Sequence, residues 1–291
     1  MPLITESSFR IRQYECDAYG HVNHANYLRY MQEAAFDSSA AAGYPIDRYQ
    51  TMNRIWYIHE SDITYLRPLA YGDTVIVKTW VSDFRRVSSR RSYELRSAAS
   101  GDAVVKAITN WVYLDADELS PISIPPEIIS AYWPNGSPSD IPPRERIPKA
   151  PPPPPGVFTM HRPVRWRDID GLGHVNNASY LAYIEDCGVE VARAHGWSMR
   201  RMMEAGFGII ARRYRIEYVR PAFLEDELEV STWVSDPRRA TVIRHYTIKR
   251  ASDGELLARA HVLWVWVSLE SGRPMRIPPD FLSAFENNIV R

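Results

Sequence analysis

Two aspartates, Asp17 and Asp170, stand in the same short pattern, Asp-x-x-Gly-His-Val-Asn. It is spelled once by Asp17, Gly20, His21, Val22 and Asn23 and again by Asp170, Gly173, His174, Val175 and Asn176. Turn and cap formers dominate both stretches, so each acid belongs to a loop just ahead of a helix-patterned segment. A helix N-terminus offers backbone N–H groups without intrahelical partners, and its dipole favours developing negative charge. A carbonyl placed there would be polarised, while the carboxylate attacks it or orients a water to do so. Base plus oxyanion donors is the minimum set for hydrolysing an activated acyl group. The alternative is that each Asp is a helix cap or turn former. Duplication fits both readings, because common ancestry preserves a structural turn as well as a catalytic one.

His21 and His174 follow each Asp by four residues and either assist proton transfer or only bond the loop backbone. Along the helix pattern, Asn26, Tyr30 and Glu33 share one face, repeated by Ser179, Tyr183 and Asp186. That polar seam is either a solvated side or a place where a carboxylate orients water. Cys16 abuts Asp17, whose charge disfavours a thiolate, and Cys187 falls on the apolar face, so a cysteine nucleophile has no support. The Asp, His and Asn spacing lacks further N or S ligands, and no metal is expected. Neither Gly-x-Ser-x-Gly nor Gly-x-x-x-x-Gly-Lys occurs. Arginines gather at one hairpin, Arg85, Arg86, Arg90 and Arg91, with Arg238, Arg239 and Arg244 in the copy. They read as a solvated tip or as bidentate partners for the phosphates of a carrier such as coenzyme A.

The elements that must position these residues repeat with the motif. A constant offset (170 − 17 = 153) also relates Tyr65-Leu66-Arg67-Pro68 to Tyr218-Val219-Arg220-Pro221, and Thr79 through Asp83 to Thr232 through Asp236. Two copies of one fold are therefore expected. Each begins with an alternating strand, Phe9 to Tyr14 and Met160 to Arg167. A helix follows from about Asn23 to Gly43, its inward face Tyr27, Met31, Ala34, Ser38 and Ala41, and from about Ala178 to Ala194, its inward face Tyr180, Ile184, Cys187, Val191 and Ala194. Small residues on that face let a sheet approach closely. Four strands complete each copy: 55–66, 74–84, 89–98 and 103–114, then 208–219, 228–235, 241–250 and 256–267. Short turns between them make the strands antiparallel. Residues 124–133 read as a short terminal helix. Trp80, Trp111, Trp233 and Trp264 are assigned to cores. Pro134 to Gly156, with five consecutive prolines from Pro151, is a linker of extended polyproline character. The expected domains are 1–133 and 157–291, joined by 134–156.

Composition bounds the rest. Thirty-five basic residues balance 35 acidic ones among 291, so no net field attracts nucleic acid or an anionic membrane. No apolar run reaches the ~18 residues of a membrane span, the first residues lack a signal-peptide core, and two unpaired-looking cysteines fit a reducing compartment. A cytoplasmic protein is expected.

The pattern Asp-x-x-Gly-His-Val-Asn followed by Asn26-Tyr27-Leu28 or Ser179-Tyr180-Leu181 resembles the hotdog-fold thioesterases, in the branch holding 4-hydroxybenzoyl-CoA thioesterase and the acyl-ACP thioesterases. The resemblance covers roughly 9–130 and 158–288. It implies an α+β chain of two tandem hotdog domains, each a long central helix wrapped by an antiparallel sheet, pairing as a pseudo-dimer with a site for each Asp at the interface. It also implies an enzyme cleaving an acyl-CoA or acyl-ACP thioester with no cofactor, coenzyme A being part of the substrate. By that likeness Asp17 and Asp170 are the general base or nucleophile, and the backbone N–H of His24 and Asn177 polarises the carbonyl. His21, His174, Asn23, Asn176, Glu33 and Asp186 complete the candidate catalytic set. The acyl-ACP branch reads Asp-x-Asn-x-His, where this chain has Tyr19 and Leu172. Two other activities stay open: a hotdog enoyl-CoA hydratase, whose motif spaces Asp and His by five with Asn-Pro between, and a module that binds acyl thioesters without turnover. Partners are a small acyl thioester or an acyl carrier protein, with further self-association open.

Overall fold

The computed structural model describes residues 1–136 and 143–290. Residues 137–142 of the proline-rich linker lie outside the described residues. The chain divides into two compact units, Met1–Arg146 and Ile147–Arg291.

In the N-terminal unit, strand β1 (Ile4–Arg10) precedes helix α1 (His24–Ala41) and a short helix α2 (Ile46–Thr51). Strands β2 (Arg54–Tyr65), β3 (Thr74–Phe84), β4 (Ser88–Ser97) and β5 (Ala103–Asp115) follow, then helix α3 (Pro126–Tyr132). The strands form an antiparallel sheet in the order β1-β3-β4-β5-β2. In the C-terminal unit, β6 (Phe158–Pro163), α4 (Asn177–Ala194), α5 (Met199–Glu204), β7 (Phe207–Tyr218), β8 (Glu227–Ser235), β9 (Thr241–Arg250), β10 (Leu256–Ser268) and α6 (Pro279–Ala284) repeat the plan. Their order is β6-β8-β9-β10-β7, again antiparallel.

The long helices pack on one face of each sheet, α1 against β1 and β3 and α4 against β6 and β8. Burial along β3 alternates residue by residue, which turns Val75, Val77 and Val81 to the buried face, Val81 into the cluster around α2 and α3, and leaves the other set outward. Leu28 and Met31 on α1, and Leu181 and Ile184 on α4, have no solvent-accessible surface. Each such side chain contributes about 1.5–3 kcal/mol relative to exposure. Asn23 and Asn176 cap the helix starts, and Gly43 and Gly196 take the left-handed backbone angles that end each helical segment.

Several details differ from the sequence reading. Ala41 and Ala194, the last residues of their helices, are exposed, although Ser38, Val191 and Ala192 in the same last turns are buried. The polar seam is not a solvated side: Asn26, Tyr30, Ser179 and Tyr183 are buried, and only Glu33 and Asp186 reach solvent. A helix with sheet on one flank and loop on the next buries more than its apolar stripe. The first strand of each copy starts and stops earlier than its alternation indicates, and the chain then makes tight turns at Gln13–Glu15 and Trp166–Asp168. Helices α2 and α5 are too short to register as a periodic pattern. Of the four tryptophans assigned to cores, Trp111 and Trp233 are buried while Trp80 and Trp264 are half-buried. No helix among the described residues is long and apolar enough to cross a membrane.

The C-terminal unit is closed by one contact with no room for a side chain. The Gly156 N–H donates to Asn287 O at 3.0 Å, and a Cβ built on Gly156 would lie 2.4 Å from that same oxygen. Gly156→Ala must therefore displace the backbone, an overpacking cost of about 1–3 kcal/mol. The expected result is a lower denaturation midpoint at unchanged denaturant slope, read by chemical unfolding.

Candidate active site

Each Asp-containing loop is a small hairpin, closed by a bridge between Cys16 and Val22 or between Ile169 and Val175. Asp17 N–H donates to His21 O at 2.8 Å, and Gly20 N–H returns to Asp17 O at 3.0 Å. The copy has 3.0 Å for both, between Asp170 and His174 and between Gly173 and Asp170. Gly20 and Gly173 sit at φ of 79° and 80°, the region that makes glycine the residue of choice. One carboxylate oxygen is committed to this turn: Asp17 Oδ1 accepts from Tyr19 N at 2.8 Å and Asp170 Oδ1 from Leu172 N at 2.9 Å. On Asp170 the other oxygen accepts from Asn176 Nδ2 at 3.3 Å. Both acids are half-buried. The turn-former reading is thus realised by one oxygen of each carboxylate.

The helix start is held by the same device in both units. Asn23 Oδ1 accepts from Ala25 N at 3.0 Å and Asn176 Oδ1 from Ala178 N at 2.9 Å, so the cap engages the second helical amide rather than the first. Tyr65, ending β2, donates its hydroxyl to His24 O at 3.1 Å, and Tyr218, ending β7, donates to Asn177 O at 3.2 Å. The loop is tied to the chain beyond those strands, with Val22 N on Leu69 O at 2.8 Å and Val175 N on Ala222 O at 2.9 Å. Tyr180 OH accepts from Ala222 N at 3.0 Å. Burial first, and the neighbouring Asp17 or Asp170 charge further down, push the Tyr27 and Tyr180 hydroxyls well above the usual tyrosine range.

A second acid in each loop escaped the sequence reading. Glu15 and Asp168 are buried, accept from Arg12 N at 2.7 Å and Arg165 N at 3.0 Å, and lie beside Tyr30 and Tyr183. Their backbone oxygens receive Asn23 N at 2.8 Å and Asn176 N at 2.9 Å. They anchor the loop to the helix. The offset that pairs Asp17 with Asp170 pairs Glu15 with Asp168 as well, which is the signal that could have found them.

The other candidates spread out. His21 is exposed, whereas His174 is buried with Nδ1 3.2 Å from Val175 O. Glu33 lies nine residues into α1, roughly 14 Å along the axis from its first residue. Asp186, its counterpart on α4, is exposed and paired with Arg162 of β6. Arg85, Arg86, Arg238 and Arg239 are exposed at the β3–β4 and β8–β9 turns, where Arg238 pairs with Asp236 at 3.0 Å. Arg90 instead faces Asp83 at 3.5 Å, and Arg91 and Arg244 are buried beneath the sheet over Tyr132 and Phe285. Burial, with the Asp17 charge second, raises the Cys16 thiol, and burial pushes Cys187 up to about 12, so neither is a thiolate at neutral pH.

A long helix against a five-stranded antiparallel sheet, with an acid-bearing hairpin at the helix start, defines each unit as a hotdog domain. Residues 164–285 match the profile of the Thioesterase-like superfamily, and residues 2–132 match that of the Acyl-ACP thioesterase N-terminal domain. Acyl-CoA thioester hydrolase YbgC of Shigella flexneri is 32% identical over 126 residues, 43% of this chain and 93% of that protein. The chain belongs to the thioesterase-like superfamily. The palmitoyl-acyl carrier protein thioesterase of Arabidopsis thaliana is 26% identical over 191 residues, 62% of this chain and 46% of that protein. The chain thus spans about half the length of the plant relatives it matches. A solved structure from Lactobacillus plantarum assigned as an oleoyl thioesterase superposes with a TM-score of 0.78 at 19% identity, covering 94% of this chain and 98% of that one. The 12:0-ACP thioesterase of Umbellularia californica gives 0.70 at 18%, covering 90% and 93%. These two likenesses concern the fold.

Proposed function

We propose that the protein hydrolyses acyl thioesters carried on coenzyme A or on an acyl carrier protein, with Asp17 and Asp170 as general bases. The observation that carries this reading is the duplicated placement of a half-buried carboxylate, one oxygen tied to its own turn, in the hairpin that leads into a capped helix start. The carboxylate takes a proton from water as the water oxygen bonds to the acyl carbon. The first helical amide, of His24 or Asn177, supports the oxygen that becomes negative. The carbon–sulfur bond then breaks, and the sulfur leaves as a thiol with the proton returned by the acid. Asn23 and Asn176 position this end by capping it. Arg85, Arg86, Arg238 and Arg239, exposed at the hairpin turns, are assigned to the carrier phosphates, and His21, His174, Glu33 and Asp186 are assigned supporting roles only.

The test is thiol release from short, long and aromatic acyl-CoAs and from an acylated carrier protein. Release above the uncatalysed rate on at least one substrate is expected. Substrate-dependent thermal stabilisation without release across the panel would make the protein a binding module. Loss of enoyl-CoA absorbance without thiol release would make it a hydratase.

A further inference from the structure

On the outward face of the C-terminal sheet, three side chains from three adjacent strands form one chain of hydrogen bonds. Ser235 Oγ, at the end of β8, is 2.6 Å from His245 Nε2 on β9, and His245 Nδ1 is 3.0 Å from His261 Nδ1 on β10. The His245 ring stacks on Trp233 at 5.6 Å between centroids and meets His261 edge to face at 4.8 Å. Both histidines are buried, while Ser235 is half-buried beside the β8–β9 turn.

The far end of the chain favours one direction for the bonds in it. The backbone of Pro148 lies beside His261 and favours a hydrogen on the ring nitrogen that faces it. A proline has no N–H, so its carbonyl accepts and the His261 nitrogen facing it carries hydrogen. With Nδ1 turned toward His245, that nitrogen is Nε2. Neutral His261 then presents a lone pair at Nδ1, His245 must donate its own Nδ1–H, and His245 Nε2 is left as an acceptor for the Ser235 hydroxyl. The neutral state of both rings is favoured by their surroundings. Burial, then His261 and Arg244, lower His245 to about 4, and burial, then Arg215 and Arg259, lower His261 to about 4. A serine hydroxyl aimed at a base whose tautomer is set by a third group is the arrangement that activates a nucleophile.

The fold does not require this chain. The N-terminal unit builds the same sheet with Ser82, Ser92 and Ile108 at the matching positions, and Ser82 there donates to the Arg90 carbonyl at 3.2 Å instead. The two histidines belong to one copy only.

We propose that Ser235 is a nucleophilic serine, a reactive centre separate from the aspartate loops, that accepts an acyl group from a small activated ester or thioester. Ser235 Oγ bonds to the acyl carbon as its proton passes to His245 Nε2. The bond from carbon to the leaving sulfur or oxygen breaks, and that atom departs with the proton from His245. The products are an acyl-serine and a free thiol or alcohol. His261 is a positioning residue that holds the His245 tautomer.

The full chain is treated with p-nitrophenyl acetate and, separately, with an alkyl fluorophosphonate, and adducts are located by peptide mass spectrometry. Adducts on Ser235, lost in Ser235→Ala, are expected. His261→Ile, which installs the residue of the other unit, should slow labelling at least 10-fold. The rate should be flat from pH 6 to 8 and half-maximal near pH 4, where the pair gains a proton against Arg215, Arg244 and Arg259, rather than near the ~6.5 of an ordinary histidine. An unmodified Ser235 after prolonged exposure to both reagents, or a labelling midpoint near 6.5, overturns the proposal. Both readouts use the unaltered protein and stand even if a histidine variant fails to fold.

Discussion

Replacing both Asp17 and Asp170 by asparagine should lower thiol release by about 10²- to 10⁴-fold, the usual contribution of a positioned general base. Asparagine is the informative substitution because these side chains serve two ends. Its amide oxygen can still accept from Tyr19 N or Leu172 N, so the turn survives while the proton acceptor is removed, and at Asp170 only the long bond from Asn176 Nδ2 is lost with it. Alanine would remove both and confound a broken loop with lost chemistry. The melting temperature of the Asn variant should stay within a degree or two of the parent. If release persists undiminished in this double variant, neither aspartate is the base. The single variants then show whether both copies turn over substrate, since loss confined to one identifies the working centre.

The largest stability effect is expected at Asn288. It is fully buried in the C-terminal unit, where Nδ2 donates to Gly156 O at 2.9 Å and to Thr232 O at 3.0 Å, and Oδ1 accepts from Arg244 Nη1 at 3.2 Å. Arg244 is itself buried, and burial holds its guanidinium below the usual arginine range. Asn288→Ala strips two carbonyls and a buried cation of a partner at once. Such unsatisfied groups cost about 1–3 kcal/mol each before relaxation, and we expect roughly 3 kcal/mol in total. For a unit of this size that is a fall of about 6–12 °C in melting temperature. Calorimetry should show it in the transition of the C-terminal unit, and a shift under one degree would mean that water replaces the amide without loss. Asn288→Asp keeps an acceptor for Arg244 but sets a carboxylate oxygen against the Gly156 and Thr232 carbonyls, so it should not restore the stability lost in Asn288→Ala.

Much of this was legible because the chain carries its own comparison. Strands β3 and β9 fall on the residues their alternation indicates, and Asn23 and Asn176 mark the helix starts. What the sequence hid were contacts between distant segments. Tyr65 and Tyr218 read as strand residues, and nothing local says that their hydroxyls reach a helix start 41 positions away. Arg91 and Arg244 looked like partners of their exposed neighbours, yet alternation along the strand turns them under the sheet while Arg90 faces Asp83. Tyr30 and Tyr183 looked polar by helical position, but burial beside Glu15 and Asp168 makes them part of the core. His245 and His261 fall outside the repeat, so the comparison between the two copies was blind to them.

The bond from each aspartate to the amide two residues later has an evolutionary corollary. A copy that had stopped turning over substrate would still need an oxygen at that position to keep its hairpin folded, so selection for shape alone would retain the acid or trade it for Asn. Counting such aspartates in duplicated chains therefore overestimates the number of working centres, and the residue most diagnostic of a retired copy is the amide rather than a gap in the motif.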